Sequence, residues 1–166
     1  EGGEQALSHP EYLAFLRLIL DTDCADLLDI EFFTAGADLP ALVEQAHSAG
    51  VAVVCSSHDF AKTPPRAELV CRMVQMQQAG ADLPKLAVMP QCRTDVLELL
   101  AATAEMADLH PETPVITMSM GALGAVSRLA GEAFGSAMTF ANPGQASAPG
   151  QVSLNIVNEV LDALHL

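Results

Sequence analysis

The sequence predicts an α/β fold of about five parallel strands covered by helices. Three observations carry that expectation: apolar runs of strand length, helical segments between them that stop at glycine, and a chain of 166 residues that is 51% apolar and 17% charged. Such a composition buries a core and is not that of a disordered segment. The length suits one domain over residues 1–166 and falls short of the roughly 250 residues that an eight-unit α/β barrel takes.

In chain order, EYLAFLRLIL from Glu11 to Leu20 reads as an apolar-rich helix, with Ser8 as its cap and Pro10 in its first turn. LLDIEFF from Leu27 to Phe33 reads as a strand, and the helix that begins near Ala37 ends at Gly50. VAVVCSS, from Val51 to Ser57, is a second strand rich in β-branched residues, followed by a helix from about Pro65 to Ala79 stopped by Gly80. KLAVM (Lys85 to Met89) and PVITMSM (Pro114 to Met120) are the third and fourth strands, with a helix from Thr94 to Leu109 between them. A short helix from about Val126 to Ala133, a fifth strand SAMTFA (Ser136 to Ala141) and a last helix from Ser153 to Leu164 complete the alternation. The Pro, Gly and Ser-rich stretch from Asn142 to Gln151 joins the fifth strand to the last helix, where α/β folds place ligand loops. It reads as a loop that covers a site or as an ordinary surface loop.

Charge and motifs narrow the function classes. Seven Lys and Arg against 21 Asp and Glu give a formal net charge of −14, which disfavours nucleic acid and anionic membrane surfaces. A small anionic substrate stays open, because local cations in a pocket can overcome a field screened over about 10 Å. There is no cationic, apolar leader and no uninterrupted apolar run of membrane-spanning length, so the expected location is cytoplasmic. Cys24, Cys55, Cys71 and Cys92 show no metal-binding spacing and read as buried thiols of a reducing compartment. No phosphate-binding or dinucleotide-binding glycine motif occurs, and the acidic run Asp21, Asp23, Asp26 and Asp29 lacks the offsets of a calcium loop. That run reads as a solvated junction, and no metal site stands out.

Three residues could carry chemistry. Lys85, one of only two lysines, opens an apolar strand, where a desolvated amine can attack a carbonyl or where the stem can simply reach outward to water. His58 sits at the C-terminal end of the second strand, a place for a general acid/base or for a structural imidazole. Arg128, just after the fourth strand, can clamp a carboxylate bidentately or form a helix-surface ion pair.

Taken together, EGGE at Glu1, SSHDF around His58, PKLAVMP around Lys85, SMGALGAVSRLAGEAFGS around Arg128 and SAPGQ from Ser147 to Gln151 resemble the type I 3-dehydroquinate dehydratases. The resemblance covers essentially the whole chain and matches the later two thirds of that family's sequence. It implies a (β/α)8 TIM barrel, here a partial barrel lacking the first three strands, and dehydration of 3-dehydroquinate to 3-dehydroshikimate in the shikimate pathway without a cofactor. By resemblance Lys85 forms the Schiff base, His58 moves the protons, Glu1 orients the histidine, Arg128 clamps the substrate carboxylate, and Ser147 and Gln151 belong to the closing loop.

The family's Glu-x-Arg pair and a further arginine on its first strands have no counterpart in this sequence. The expectation is therefore weak or no turnover by the chain alone, and a homodimer or higher oligomer that covers the open sheet edges. The competing readings are a non-catalytic truncated barrel with a structural or oligomerising role, and another Schiff-base lyase or aldolase.

Overall fold

A computed structural model describes residues 5–144 and 150–164. Four strands, β1 (Leu27–Glu31), β2 (Ala52–Asp59), β3 (Leu83–Val88) and β4 (Ile116–Ser119), form one parallel sheet in chain order. Helices α1 (His9–Asp21), α2 (Phe32–Ala35), α3 (Leu39–Ser48), α4 (Arg66–Gln78), α5 (Arg93–Leu109), α6 (Ala125–Leu129) and α7 (Leu154–Leu164) occupy the connections. At the start of α1, the Ser8 backbone N–H and hydroxyl both donate to the Glu11 carboxylate, at 2.9 and 2.5 Å, and hold it below the usual carboxylate range.

The alternation of side chains along each strand divides the apolar residues into two cores. Leu28, Ile30, Val53, Cys55, Leu86 and Val88 face the helices and pack with Leu42, Leu69, Met73 and Leu99 in the larger core. Each large side chain buried there contributes roughly 1.5–3 kcal/mol. The opposite face carries a small cluster of Val54, Ala87, Ile116, Met118 and Met120, against which Leu83 and Met89 pack. Every polar residue of interest on β1, β2 and β3 shares this second face.

Two strand expectations change. The strand predicted over 27–33 stops at Glu31, where the chain turns into α2. The turn is set by side chains: Tyr12 hydroxyl accepts the Glu31 N–H at 2.8 Å, and Thr34 hydroxyl donates to the Glu31 carboxylate at 2.8 Å. Burial pushes the Tyr12 phenol up to about 12, so it stays neutral.

The predicted fifth strand, 136–141, makes a single parallel bridge, Val115 to Ser136, instead of a ladder. Hydroxyls take the place of strand backbone along that edge of β4. Thr117 N–H donates to Ser136 Oγ at 3.1 Å and Ser119 N–H to Ser127 Oγ at 2.8 Å. The α/β class stands, with four strands in the sheet among the described residues. The cysteines also differ from expectation, since Cys24, Cys71 and Cys92 are exposed and only Cys55 is buried, all four being free.

At the base of the sheet one carboxylate ties three elements together. Asp82 Oδ2 accepts the Val53 N–H at 2.7 Å and contacts His47 Nε2, on α3, at 2.8 Å. Partial burial opposes ionisation of Asp82, but these donors outweigh it and hold the group below its ordinary value. A carboxylate depressed in the folded state stabilises the fold above its unfolded value, near 4, and loses that contribution as pH falls further. Since the Asp82 side chain is 43% exposed and water screens its charge, Asp82→Asn should cost about 0.2–1 kcal/mol at neutral pH. In urea titrations at pH 7 and pH 3, the gap between the two proteins should shrink at the lower pH.

Candidate active site

Lys85 is the second inward position of β3, and its register partner on β2 is Ser56. Its side chain is only 12% exposed. The ammonium donates to Asp29 Oδ2 at 2.7 Å and lies 5.1 Å from the centre of the Phe140 ring, a cation–π distance. Asp29 in turn accepts from Ser56 Oγ at 2.5 Å through its other oxygen. The lysine stem does not reach outward to water. It is held on the concave face between a carboxylate and an aromatic ring.

His58 lies opposite Ala87, two residues further along β2 than Ser56 and hence on the same face as Lys85. One strand spacing across and two residues along puts the two backbones about 8 Å apart, within reach of a small substrate held between them. The imidazole stacks on Phe60 with centroids 5.9 Å apart and planes 8° from parallel. The loop behind it is fixed by Asp59 Oδ1, which accepts the Ala61 and Lys62 N–H groups at 3.0 and 2.9 Å.

Arg128 is 2% exposed, so it is not a helix-surface ion pair. One guanidinium nitrogen, Nη1, points at Met118 Sδ, 3.4 Å away, and Met118 is the register partner of Ala87. Nε is buried with no hydrogen-bond partner among the described residues, and burial pulls the guanidinium below its ordinary value. A buried cation with donors to spare beside a thioether is poised for an anion.

Of the other sequence-predicted residues, Glu1 and Ser147 lie outside the described residues. Gln151 is half-buried at the end of its loop. The loop base is pinned where Asn142 N–H donates to Val152 O at 2.8 Å and Leu154 N–H to Asn142 O at 2.9 Å. Gly150 has φ +78, and a Cβ there would meet the Gly121 carbonyl oxygen at 2.3 Å, so the turn before Gln151 rests directly on the end of β4. The structure thus brings Lys85, His58 and Arg128 to one side of the sheet.

Asp29 is the residue that sequence reasoning missed. Its place in an acidic run disguised it, but Leu28 and Ile30 flanking it are the signal of a strand that sends Asp29 to the face opposite the helices. Among the described residues, no group of three or more His, Cys, Asp or Glu converges to hold a metal ion, and no helix is long and apolar enough to cross a membrane.

Comparison with known proteins bears on the fold and the family. The family model described as type I 3-dehydroquinase matches residues 1–166. A 3-dehydroquinate dehydratase of Salmonella agona is 51% identical over 165 residues, covering 99% of this chain and 66% of that protein. The chain therefore spans just under two thirds of the length of the curated relatives it matches. The crystal structure of a type I 3-dehydroquinate dehydratase from Clostridium difficile, with covalently modified comenic acid, superposes with a TM-score of 0.94 at 48% identity. It is matched over 99% of this chain and 65% of that one. The 3-dehydroquinate dehydratase of Enterococcus faecalis superposes with a TM-score of 0.91 at 42% identity, over 100% of this chain and 65% of its own.

The turn that delivers Arg128 is testable without any ligand. At Gly124 a Cβ would lie 2.2 Å from the Ser119 carbonyl oxygen and 2.7 Å from that of Met120. Ser127 hydroxyl, which holds the Ser119 N–H, also donates to the Gly124 carbonyl at 2.7 Å. Gly124→Ala must push the turn off β4, at a cost of about 1–3 kcal/mol. Thermal unfolding should show the loss, whereas an unchanged midpoint would mean that the turn relaxes freely.

Proposed function

From the premise that the chain belongs to the type I 3-dehydroquinase family, we propose that it dehydrates 3-dehydroquinate to 3-dehydroshikimate through a Schiff base at Lys85. The observation that carries this reading is the placement of Lys85, His58 and the buried Arg128 on one side of the sheet. The lysine gives up a proton and its nitrogen attacks the substrate ketone to form a carbinolamine, whose hydroxyl takes up one proton and leaves as water to give an iminium. His58 removes a proton from the adjacent carbon, and the electron pair flows into the iminium to give an enamine. Return of that pair expels the hydroxyl, which leaves as water with a proton from His58. Hydrolysis of the iminium then restores the lysine.

Arg128 supplies the counter-charge to the substrate carboxylate, which its unpartnered Nε and the thioether beside Nη1 leave it able to do. Glu1 orients His58, and Ser147 and Gln151 close over the substrate, as the family resemblance implies. No cofactor enters this chemistry, because the imine itself is the electron sink. The same reading makes the chain one cytoplasmic domain over 1–166 that works as a homodimer or larger assembly. Exposed Leu154 and Ile156 on α7 are consistent with such an assembly.

Intact-mass spectrometry after incubation with 3-dehydroquinate and borohydride tests the proposal. A substrate-dependent adduct should map to Lys85 and not to Lys62, the only other lysine, and Lys85→Ala should abolish it. No adduct on a folded sample, or one on another residue, would overturn the assignment. In any form that turns over, His58→Ala should lower the rate by about 10² to 10⁴, the usual contribution of positioned proton transfer. Retention of full turnover would remove His58 from the mechanism.

A further inference from the structure

The Lys85 ammonium is not alone on the concave face. Asp29 places one carboxylate oxygen 2.7 Å from Nζ and the other 2.5 Å from Ser56 Oγ, so the serine fixes the carboxylate while leaving the lysine-facing oxygen in place. Three adjacent strands supply the three groups, and their register aligns them: Asp29 pairs with Val54, one step along the same face from Ser56, and Ser56 pairs with Lys85.

We propose that Asp29 is the counter-ion of the iminium formed at Lys85 and that it keeps the imine nitrogen protonated while the adjacent carbon is deprotonated. This rests on the Schiff-base reading above. The balance of the step supports it: an ammonium and a ketone give an iminium and one water, so a single positive charge sits at the same nitrogen before and after. A carboxylate placed against the ammonium is therefore already placed against the iminium, with no change in its own charge. Protonation matters because a neutral imine is a far weaker sink for the carbon's electron pair. Ionised Asp29 favours the charged nitrogen by direct Coulomb attraction, which water reaching its 42% exposed side chain screens in part and which the Phe140 ring and the apolar β3–β4 face preserve on the lysine's side.

Other charged or titratable groups stand near this pair among the described residues. Glu31 follows on the same face of β1, His58 lies on β2, and Arg128 stands behind Met118. From the helix side come Tyr12 and Cys55, both pushed up to about 12, by burial first and by Asp29 among the lesser causes, so both stay neutral below pH 10.

The test compares wild type, Asp29→Asn and Ser56→Ala between pH 6 and pH 10, with propanal and cyanoborohydride as the probe. Reductive labelling at Lys85 is read by peptide mapping, and exposed Lys62 in the same molecule serves as the internal standard. Labelling requires an iminium, so it falls at high pH when the nitrogen loses its proton. In Asp29→Asn that fall at Lys85 should move to lower pH, by up to about one unit, since the opposite charge removed is adjacent but partly screened by water. The Lys62 profile should not move, and Ser56→Ala should give a smaller displacement of the same sign.

An unmoved Lys85 profile in Asp29→Asn overturns the inference, as does a wild-type Lys85 that takes no aldehyde. If Asp29→Asn fails to fold, Ser56→Ala decides, with no displacement counting against the role. Failure of the wild type to label with 3-dehydroquinate while propanal labels Lys85 sinks the dehydratase reading instead, since the aldehyde needs no substrate recognition.

Discussion

The pairing of Ser56 with Lys85 across β2 and β3 sets the direction of every strand residue in the candidate site. Side chains alternate along a strand, so one register choice sends Asp29, Ser56, His58 and Lys85 to one face and Leu28, Val53, Cys55 and Leu86 to the other. A slip by one residue would put an ammonium and a carboxylate among the helices and expose the aliphatic core. The large core therefore enforces the polar arrangement. The helix-facing residues make any other register too unfavourable, and the chemistry occupies the face that packing leaves open.

A similar constraint governs the far side of the sheet. β4 has only four residues, and its outer edge has N–H groups to satisfy without a neighbouring ladder. Ser127 and Ser136 satisfy them with hydroxyls, and Ser127 also sets the path of the adjoining chain. It immediately precedes Arg128, and its bonds to the Ser119 N–H and the Gly124 carbonyl lock the short helix α6 onto the strand end. The guanidinium direction is thus a consequence of how a sheet edge is capped, which explains why so small a turn requires glycine where Gly124 approaches the Ser119 carbonyl.

Much of this was legible in the sequence because apolar runs and glycine stops report parallel strands and helix ends directly. Lys85 and His58 stood out since each interrupts or ends an apolar strand, Arg128 since it follows the fourth strand, and the motifs around them point to one family over the whole chain. What escaped depends on tertiary partners. Phe32 and Phe33 continue an apolar run, yet the chain turns there because Tyr12, nineteen residues earlier, takes the Glu31 N–H. SAMTFA has strand composition, but Ser136 commits its hydroxyl to Thr117 and the ladder does not form. Asp29 was read with its acidic neighbours, although its flanking leucine and isoleucine place it in a strand, and only the pairing of β1 with β2, which sets it opposite Val54 on the face of Ser56, reveals its partner.

The charge distribution gives these details a common physical sense. A chain carrying a formal net charge of −14 has seven Lys and Arg to place, and two of them, Lys85 and Arg128, are withdrawn from solvent on the concave side. Others pair at the surface, as Arg72 does with Glu68 and Arg66 with Glu105. Interactions between exposed charges fade over about 10 Å in moderate salt, whereas those among buried groups are screened much less. The distant negative charge consequently weighs less at the site than the nearby groups, which among the described residues include Lys85, Asp29, Glu31 and Arg128. Asp29 neutralises only the lysine, leaving the guanidinium's charge available to an incoming anion. The site can therefore hold a carboxylate at Arg128 and keep a cationic nitrogen at Lys85 at the same time, which the proposed reaction requires of it.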